Sequence, residues 1–201
     1  MRRLSLFALA AATLTAAGLL ADDTTRKGDK AHDEKFSDKM FVEKAAIGGM
    51  FEVKSSQLAQ QKGSSPGVKQ FAARMITDHT KANQELMALA RQKGWQVPTA
   101  LDQKHRDLLN QLSQNQAGTG PAGDRFDRAY AEMQVKAHDH AVELFEKAAQ
   151  ECKDADLKAW ATKTLPTLKE HQQMAKQMNM HGSSGTTTTP PARGTRPVPP
   201  R

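Results

Sequence analysis

Apolar residues recur at intervals of three and four along four long stretches of the chain between Phe36 and Met178. This spacing places them on one face of an α-helix. The same region is rich in Ala, Leu, Lys, Gln, Glu and Met, which are good helix formers, whereas aromatic residues, which favour strands, make up only 5% of the chain. The sequence therefore predicts an all-α protein and argues against a large β-sandwich or β-barrel.

Capping residues and chain breakers indicate where the helices begin and end. The four long helices are expected over about Ser37–Lys62, Pro66–Lys93, Asp124–Glu151 and Asp154–Asn179, and a shorter amphipathic helix is expected to start at Thr99. Short links make the first and second long helices antiparallel neighbours, and likewise the third and fourth. The link between the second and third contains the short helix and is long enough to cross the bundle. One such crossover is typical of the ferritin-like antiparallel four-helix bundle.

The first 21 residues have the parts of a secretory signal peptide, which are two arginines, an apolar run over residues 4–20 and then the small residue Ala21. Cleavage is expected near Ala21, with Ala17 or Gly18 as alternative sites. The apolar run of 17 residues reaches the lower limit for a membrane span, so an uncleaved anchor is the alternative. The sequence predicts a periplasmic or secreted protein that has no membrane span once the signal peptide is removed.

Composition divides the rest of the chain into three parts. Residues 22–36 are polar and without periodicity, which indicates a flexible spacer. Residues 37–180 form the predicted bundle, and residues 181–201 are mostly Ser, Gly, Thr, Pro and Arg, which indicates a disordered tail. The net charge is +7, but two of the positive charges lie in the leader and three in the tail. A basic face that would bind nucleic acid is therefore not predicted.

Cys152 is the only cysteine in the sequence. An intramolecular disulfide and any zinc or iron–sulfur site built from several cysteines are therefore excluded. No histidine neighbours Cys152 in the sequence to activate its thiol, and the sequence has no motif for a phosphate-binding loop. These features predict a structural cysteine and favour a binding protein over an enzyme.

Each long helix carries one residue of a metal-binding type near the middle of its apolar face. These residues are Glu52, His79, His140 and His171 in chain order. The apolar pattern of the third long helix places His140 on that face and His138 off it. Buried polar groups must be paired or bound to a ligand. Three imidazoles and a carboxylate in one layer suit one transition-metal ion, which by ligand type is Zn, Fe, Mn or Cu.

The same residues also have an interpretation without a metal. Glu52 and a histidine can form a buried ion pair that fixes the register of the helices. Two aspartates, Asp78 and Asp139, directly precede two of the histidines and resemble the carboxylates that orient metal ligands. Because adjacent residues of a helix point about 100° apart, each aspartate is expected either to contact a group on another helix or to face solvent.

Several short motifs of the chain occur together in one bacterial family. The motifs are Phe41-Val42 with Ala45-Ala46, Gly48-Gly49-Met50, Glu52-Val53, Asp78-His79, Phe126-Asp127 with Tyr130, His140, and Leu165-Pro166 with His171. On these residues the chain resembles domain of unknown function 4142, a family of exported proteins. The resemblance covers about residues 41–178 and implies a ferritin-like bundle in the periplasm or cell envelope. It implies no catalytic residue, because the family has no established activity.

The glutamates of a ferritin-like di-iron site are missing. Such sites use two Glu-x-x-His motifs, but the residue three before His79 is Ile76 and the residue three before His171 is Leu168. At most a mononuclear site is therefore expected. The first hypothesis is an exported bundle protein that binds one transition-metal ion in a storage or stress-protective role. The alternative is a non-catalytic cell-envelope interaction or structural protein, whose partner is another envelope protein or a second copy of the chain.

Overall fold

A computed structural model describes residues 36–114 and 122–182 of the chain. Within these residues all regular structure is helical, with α1 over Asp38–Lys62, α2 over Pro66–Lys93, α3 over Gln103–Gln114, α4 over Ala122–Glu151 and α5 over Ala155–Gly182. The all-α prediction is confirmed. The predicted signal peptide, the predicted spacer apart from Phe36, and the predicted tail beyond Gly182 lie outside the described residues. None of the described helices is both long and apolar enough to cross a membrane.

Contacts between aromatic rings show how the long helices run. Phe41 near the start of α1 packs against Phe145 near the end of α4, with ring centroids 5.0 Å apart, so these two helices are antiparallel. Phe71 in the first half of α2 packs against Tyr130 in the first half of α4, with ring centroids 6.1 Å apart. α2 and α4 therefore run in the same direction. The connection that includes α3 carries the chain from the end of α2 back to the level at which α4 begins.

Two apolar clusters fill the core of the bundle, one on each side of its middle. One cluster includes Phe145 and Trp160, and the other includes Phe71 and Tyr130. A third and smaller cluster, around Leu101, joins the segment that leads into α3 to α1 and α4. Burying each large apolar side chain contributes about 1.5–3 kcal/mol. The two main clusters therefore hold the long helices firmly on both sides of the layer that contains the buried polar residues.

Three of the predicted helix ends have the expected caps. The hydroxyl of Ser37 accepts a hydrogen bond from the backbone N–H three residues on, at 3.2 Å. The carboxylate of Asp154 accepts two backbone N–H bonds at the start of α5, both at 3.0 Å. Gly94 ends α2 with a φ of 67°, the left-handed conformation that glycine adopts at little cost. The local sequence therefore sets these boundaries.

The start of α3 differs from the prediction. The helix begins at Gln103 rather than at Thr99, because the Asp102 carboxylate accepts a hydrogen bond from the backbone N–H of His105 at 2.8 Å. The His105 ring bonds the same oxygen at 2.7 Å. Aspartate is a better N-cap than threonine, and the first turn of α3 forms after Asp102 for that reason.

Gly49 allows α1 and α2 to approach each other closely. A β-carbon at this position would lie 1.9 Å from the side-chain oxygen of Asn83, which is far inside van der Waals contact. A β-carbon at the adjacent Gly48 would have no neighbouring atom within 4 Å. The close approach therefore explains Gly49 and helps to fix the middle of α1 against α2.

Asp127 of α4 holds the beginning of α2. Its carboxylate accepts hydrogen bonds from the backbone N–H groups of Ser64 and Ser65, the shortest at 2.7 Å, and from the Ser64 hydroxyl at 2.8 Å.

We expect Asp127→Ala to lower the free energy of unfolding by about 2 kcal/mol, measured by chemical denaturation, because it leaves these donors without a partner. Asp124→Ala is the matched control, since exposed Asp124 meets the same Ser64 hydroxyl at 3.2 Å. Equal losses in the two variants would contradict the role given to Asp127.

Candidate metal centre

Three histidines from three helices meet in the buried middle of the bundle. They are His79 of α2, His138 of α4 and His171 of α5, here called the histidine triad, and their exposed fractions are 6%, 0% and 1%. Their ring centroids are 5.4, 5.5 and 5.6 Å apart, which is nearly an equilateral triangle. One ring nitrogen from each histidine lies within 4.8 Å of the other two. The three rings therefore converge on one point.

Hydrogen bonds at the edge of the triad fix which ring nitrogen carries the proton. Nδ1 of His138 lies 2.9 Å from the backbone carbonyl oxygen of Gln134, and Nε2 of His171 lies 2.9 Å from a carboxylate oxygen of Asp78. Both oxygens accept, so both of these nitrogens donate. The nitrogens left without these hydrogen bonds are Nε2 of His138 and Nδ1 of His171.

The nitrogens that remain have no hydrogen-bond partner. Nε2 of His79, Nε2 of His138 and Nδ1 of His171 are all buried and unpaired. Buried polar atoms are paired in the great majority of cases, and each exception needs an explanation. Three exceptions within one small triangle point to a group that bonds to all three.

The spacing of the ligand atoms suits a single metal ion. Bonds from a metal to histidine nitrogen are about 2.0–2.1 Å long, which places three ligands around one ion about 3.5 Å apart. Because the candidate ligand atoms lie within 4.8 Å of one another, the centre of their triangle is at most about 3 Å from each nitrogen. Small rotations of the side chains close the remaining gap.

The electrostatic surroundings keep two of the rings uncharged. Burial lowers the pKa of His79 well below its usual value, and the neighbouring His138 and His171 lower it further. Burial also lowers the pKa of His171 to about 4, although the Asp78 carboxylate acts in the opposite direction. Neutral imidazole is the form that bonds to metals. These rings are therefore ready to bind an ion at pH 7 without first losing a proton.

Asp78 connects the triad to the surface between α2 and α5. Its side chain is 31% exposed, and it also accepts a hydrogen bond from Arg74 at 3.3 Å. Arg74 reaches across to Glu170 of α5 at 2.6 Å. Asp78 therefore orients a histidine of another helix, which is one of the two arrangements expected from the sequence and is typical of the carboxylates that support metal-bound histidines. Asp139 also crosses between helices, through an ion pair with Lys176 at 2.9 Å.

The structure differs from the sequence-based prediction at His140. His140 is exposed, whereas His138 is fully buried. The two residues are separated by two positions, which is a rotation of about 200° around a helix. The expectation that His140 lies on the core face of α4 is therefore wrong, and the histidine of this helix that faces His79 and His171 is His138.

The apolar pattern of α4 is misleading because this helix is covered on two sides. Its core face runs through Tyr130, Gln134 and His138 in steps of four, and all three are fully buried. Its apolar residues Met133 and Ala137 are only partly buried and pack against the cluster around Leu101. The core face repeats every four residues from Tyr130. Its next two members, Gln134 and His138, are polar, so a search for apolar residues does not find this face.

Glu52 is buried on α1, but its carboxyl lies outside the group of converging nitrogens. The residue is 5% exposed, its Oε2 has no hydrogen-bond partner, and its carboxyl forms a hydrogen bond with the side chain of Gln134. Burial raises the pKa of Glu52, which the nearby His138 partly offsets. The structure thus brings together two of the four predicted ligands, His79 and His171, and adds His138.

The match to a known family agrees with the motifs in the sequence. Residues 23–178 match the family described as Domain of unknown function (DUF4142). The chain belongs to this family. No curated protein matches the chain.

Solved structures with the same fold include one protein, CopM, that was solved with bound metal. CopM in the Cu(II)-bound form is 18% identical with a TM-score of 0.60, and the match covers 73% of this DUF4142 chain and 97% of CopM. A DUF305 fragment from Deinococcus radiodurans is 11% identical with a TM-score of 0.60, and the match covers 71% of this chain and 95% of the fragment. At these identities the likeness concerns the fold, which is a helical bundle in each case.

Proposed function

We propose that this DUF4142 protein binds one transition-metal ion through Nε2 of His79, Nε2 of His138 and Nδ1 of His171. The observation that carries the proposal is the convergence of three buried ring nitrogens that have no hydrogen-bond partner. A buried polar atom without a partner costs about 1–3 kcal/mol. An ion that bonds to all three nitrogens removes this cost at all three positions.

Buried hydroxyl groups in the neighbouring layer are paired within the protein. The Ser56 and Tyr130 hydroxyls are joined at 2.7 Å, and the Ser55 hydroxyl donates to the backbone carbonyl of Glu52 at 3.1 Å. Two acceptor oxygens near that layer, Oε2 of Glu52 and Oε1 of Gln134, have no partner. The convergence of three unpaired nitrogens on one point is what favours metal binding over a metal-free network that sets helix register.

The ligand type is compatible with several ions. Histidine nitrogen suits zinc, copper and iron, and less often manganese. Copper gains support from the fold neighbour CopM, which has been solved in Cu(II)-bound, Cu(I)-bound and silver-bound forms. The predicted signal peptide supports a location in the periplasm or outside the cell. An ion held there away from solvent serves storage or protection against metal stress.

Elemental analysis of the purified chain tests this proposal. After incubation with Zn, Fe, Mn or Cu and removal of unbound metal, we expect about one ion per chain in the parent protein, and none in the His79→Ala/His171→Ala double variant. The matched control is His105→Ala/His140→Ala, which removes the same number of histidines from less buried positions. This control should retain the ion.

Circular dichroism on both double variants separates loss of the site from loss of the fold, because removing buried imidazoles leaves cavities. Absence of any ion from the parent protein would overturn the proposal. Equal loss of the ion from both folded double variants would also overturn it, since the histidine triad would then have no special part in binding.

A further inference from the structure

The helix α1, which contributes no histidine to the triad, presents a glycine at the same level. Phe41 of α1 contacts Phe145 of α4, with ring centroids 5.0 Å apart, and the two helices are antiparallel. Gly48 lies about two turns after Phe41. His138 lies about two turns before Phe145, and two turns return a residue to the same side of its helix. Gly48 therefore lies opposite His138, on the side of α1 that faces α4.

The space beside Gly48 is open. A β-carbon at this position would have no neighbouring atom within 4 Å, and Gly48 is partly exposed. Phe41 and Ser55, about two turns away on the same side of α1, are both fully buried. The opening thus lies between two closed stretches of the interface between α1 and α4, and it leaves room for a small molecule beside His138.

Two unpaired oxygen atoms lie one helical turn from this opening. They are Oε2 of Glu52 and Oε1 of Gln134, and both are buried without a hydrogen-bond partner. Glu52 follows Gly48 by one turn on α1, and Gln134 precedes His138 by one turn on α4. The two side chains share a hydrogen bond, so the unpaired oxygens belong to one bonded pair. Buried acceptors of this kind need a donor.

Glu52 lies beside the histidine triad but outside it. Among the residues that the structure describes, the group whose ligand atoms lie within 4.8 Å of one another contains no carboxylate. Glu52 is nevertheless near His138, since the two groups influence each other electrostatically. A water molecule bonded to an ion extends the reach of a carboxyl by one hydrogen bond and one metal–oxygen bond. Such a water has two hydrogens, which matches the two unpaired oxygens.

We propose that the ion bound by the histidine triad carries a water molecule as a fourth ligand, on the side of Gly48, and that this water donates hydrogen bonds to Oε2 of Glu52 and Oε1 of Gln134. This inference rests on the proposed function, because it assumes that the triad holds the ion. It adds a binding position for a small neutral hydrogen-bond donor from solvent. Sites with four protein ligands are closed, whereas three protein ligands and a water leave a position at which small molecules exchange.

Pulsed electron–nuclear double resonance on the full chain loaded with Cu(II) tests the inference. Spectra in H2O and D2O separate the exchangeable protons of a water on the ion from the carbon-bound protons of the imidazole rings. We expect strongly coupled exchangeable protons in the parent protein. The His79→Ala/His171→Ala double variant, loaded in the same way, identifies any signal from copper bound elsewhere.

Two substitutions at Gly48 locate the water. Gly48→Ala adds a β-carbon that meets no atom within 4 Å, so it should keep both the ion and the proton signal. Gly48→Val extends further into the opening and should keep the ion but lose the signal. A signal of equal size in both variants would overturn the inference. Circular dichroism checks that each variant is folded, and Gly48→Leu replaces Gly48→Val if the valine variant is not.

Glu52→Gln separates a hydrogen-bonded Glu52 from one that binds the ion itself. Glutamine keeps an oxygen that accepts a hydrogen bond from the water, so we expect the proton signal to persist and the Cu(II) affinity to fall by no more than about 10–100-fold, as for other groups that bond to a metal ligand. A larger fall together with loss of the signal would identify Glu52 as a direct ligand and overturn the inference.

The outcomes also separate the inference from the proposed function. Copper that depends on the histidine triad but shows no strongly coupled exchangeable protons would overturn the water ligand and leave the metal site in place. Absence of copper from the parent protein would remove both.

Discussion

We expect His138→Ala to lose the thermal stabilisation that the proposed metal ion gives to the parent protein. An ion that binds only the folded chain, at a free concentration of about 1,000 times its dissociation constant, stabilises the fold by about 4 kcal/mol, which raises the melting temperature by roughly 10 °C. We expect this rise in the parent protein. His138→Ala should lose it, because two imidazoles cannot hold the ion in a buried site as tightly as three. Differential scanning calorimetry with and without the metal measures the effect.

His140→Ala is the matched control for this experiment. His140 lies two residues from His138 on the same helix and is exposed, so the rise in melting temperature should persist when it is removed. His138→Ala will also melt lower without metal, because it loses a buried side chain. The decisive quantity for each variant is therefore the difference between its melting temperatures with and without metal. A rise in His138→Ala as large as that of the parent would place the ion outside the histidine triad.

The helix boundaries could be predicted because the residues that set them act locally. Ser37 and Asp154 each bond to a backbone N–H three residues away, and Gly94 needs only its own left-handed conformation. The first residue of α3 could be predicted less precisely. Thr99 and Asp102 are both capping residues three positions apart, so local capping leaves two candidate starts, and the structure has the one at the better N-cap, Asp102.

The candidate site could be predicted in part, because helical spacing identifies buried faces on helices with one covered side. His79 and His171 lie on such faces of α2 and α5, and both are in the triad. α4 is covered by the core on one side and by the segment around α3 on another. Its apolar residues therefore do not mark one face, and choosing between His138 and His140 requires the positions of the neighbouring helices.

Contacts between helices set the roles of the carboxylates as well. Asp78 lies near the middle of α2, yet its side chain bonds to His171, 93 residues away. The sequence allowed Asp78 either to contact another helix or to face solvent. In the structure it does both, because it bonds to His171 of α5 and its side chain is 31% exposed. A charged group that reaches a buried ring from the surface can compensate for an ion without being buried itself.

The metal-free protein will become less stable as the pH falls from 7 to 5. The pKa of His171 is about 4 in the folded chain against an ordinary value of 6.5, so the unfolded chain binds a proton in this range and the folded chain resists it. Stability is therefore lost as the pH falls between about 7 and 4, by about 2 kcal/mol from His171 between pH 7 and pH 5. His79 acts in the same direction. Denaturant unfolding in the presence of a chelator, at pH 7, 6 and 5, measures the loss.

Acidification changes the stability through Glu52 in the opposite direction to its effect through the histidines, so the two contributions must be measured separately. Its pKa is raised in the folded chain, so the folded form binds a proton more readily than the unfolded form and acidification stabilises the fold through this group. Glu52→Gln should therefore show a steeper loss of stability on acidification than the parent protein. His171→Gln should show a shallower loss, by about 2 kcal/mol between pH 7 and pH 5, whereas exposed His140→Gln should follow the parent. If His171→Gln follows the parent as well, His171 is not the buried neutral ring on which the ion site depends.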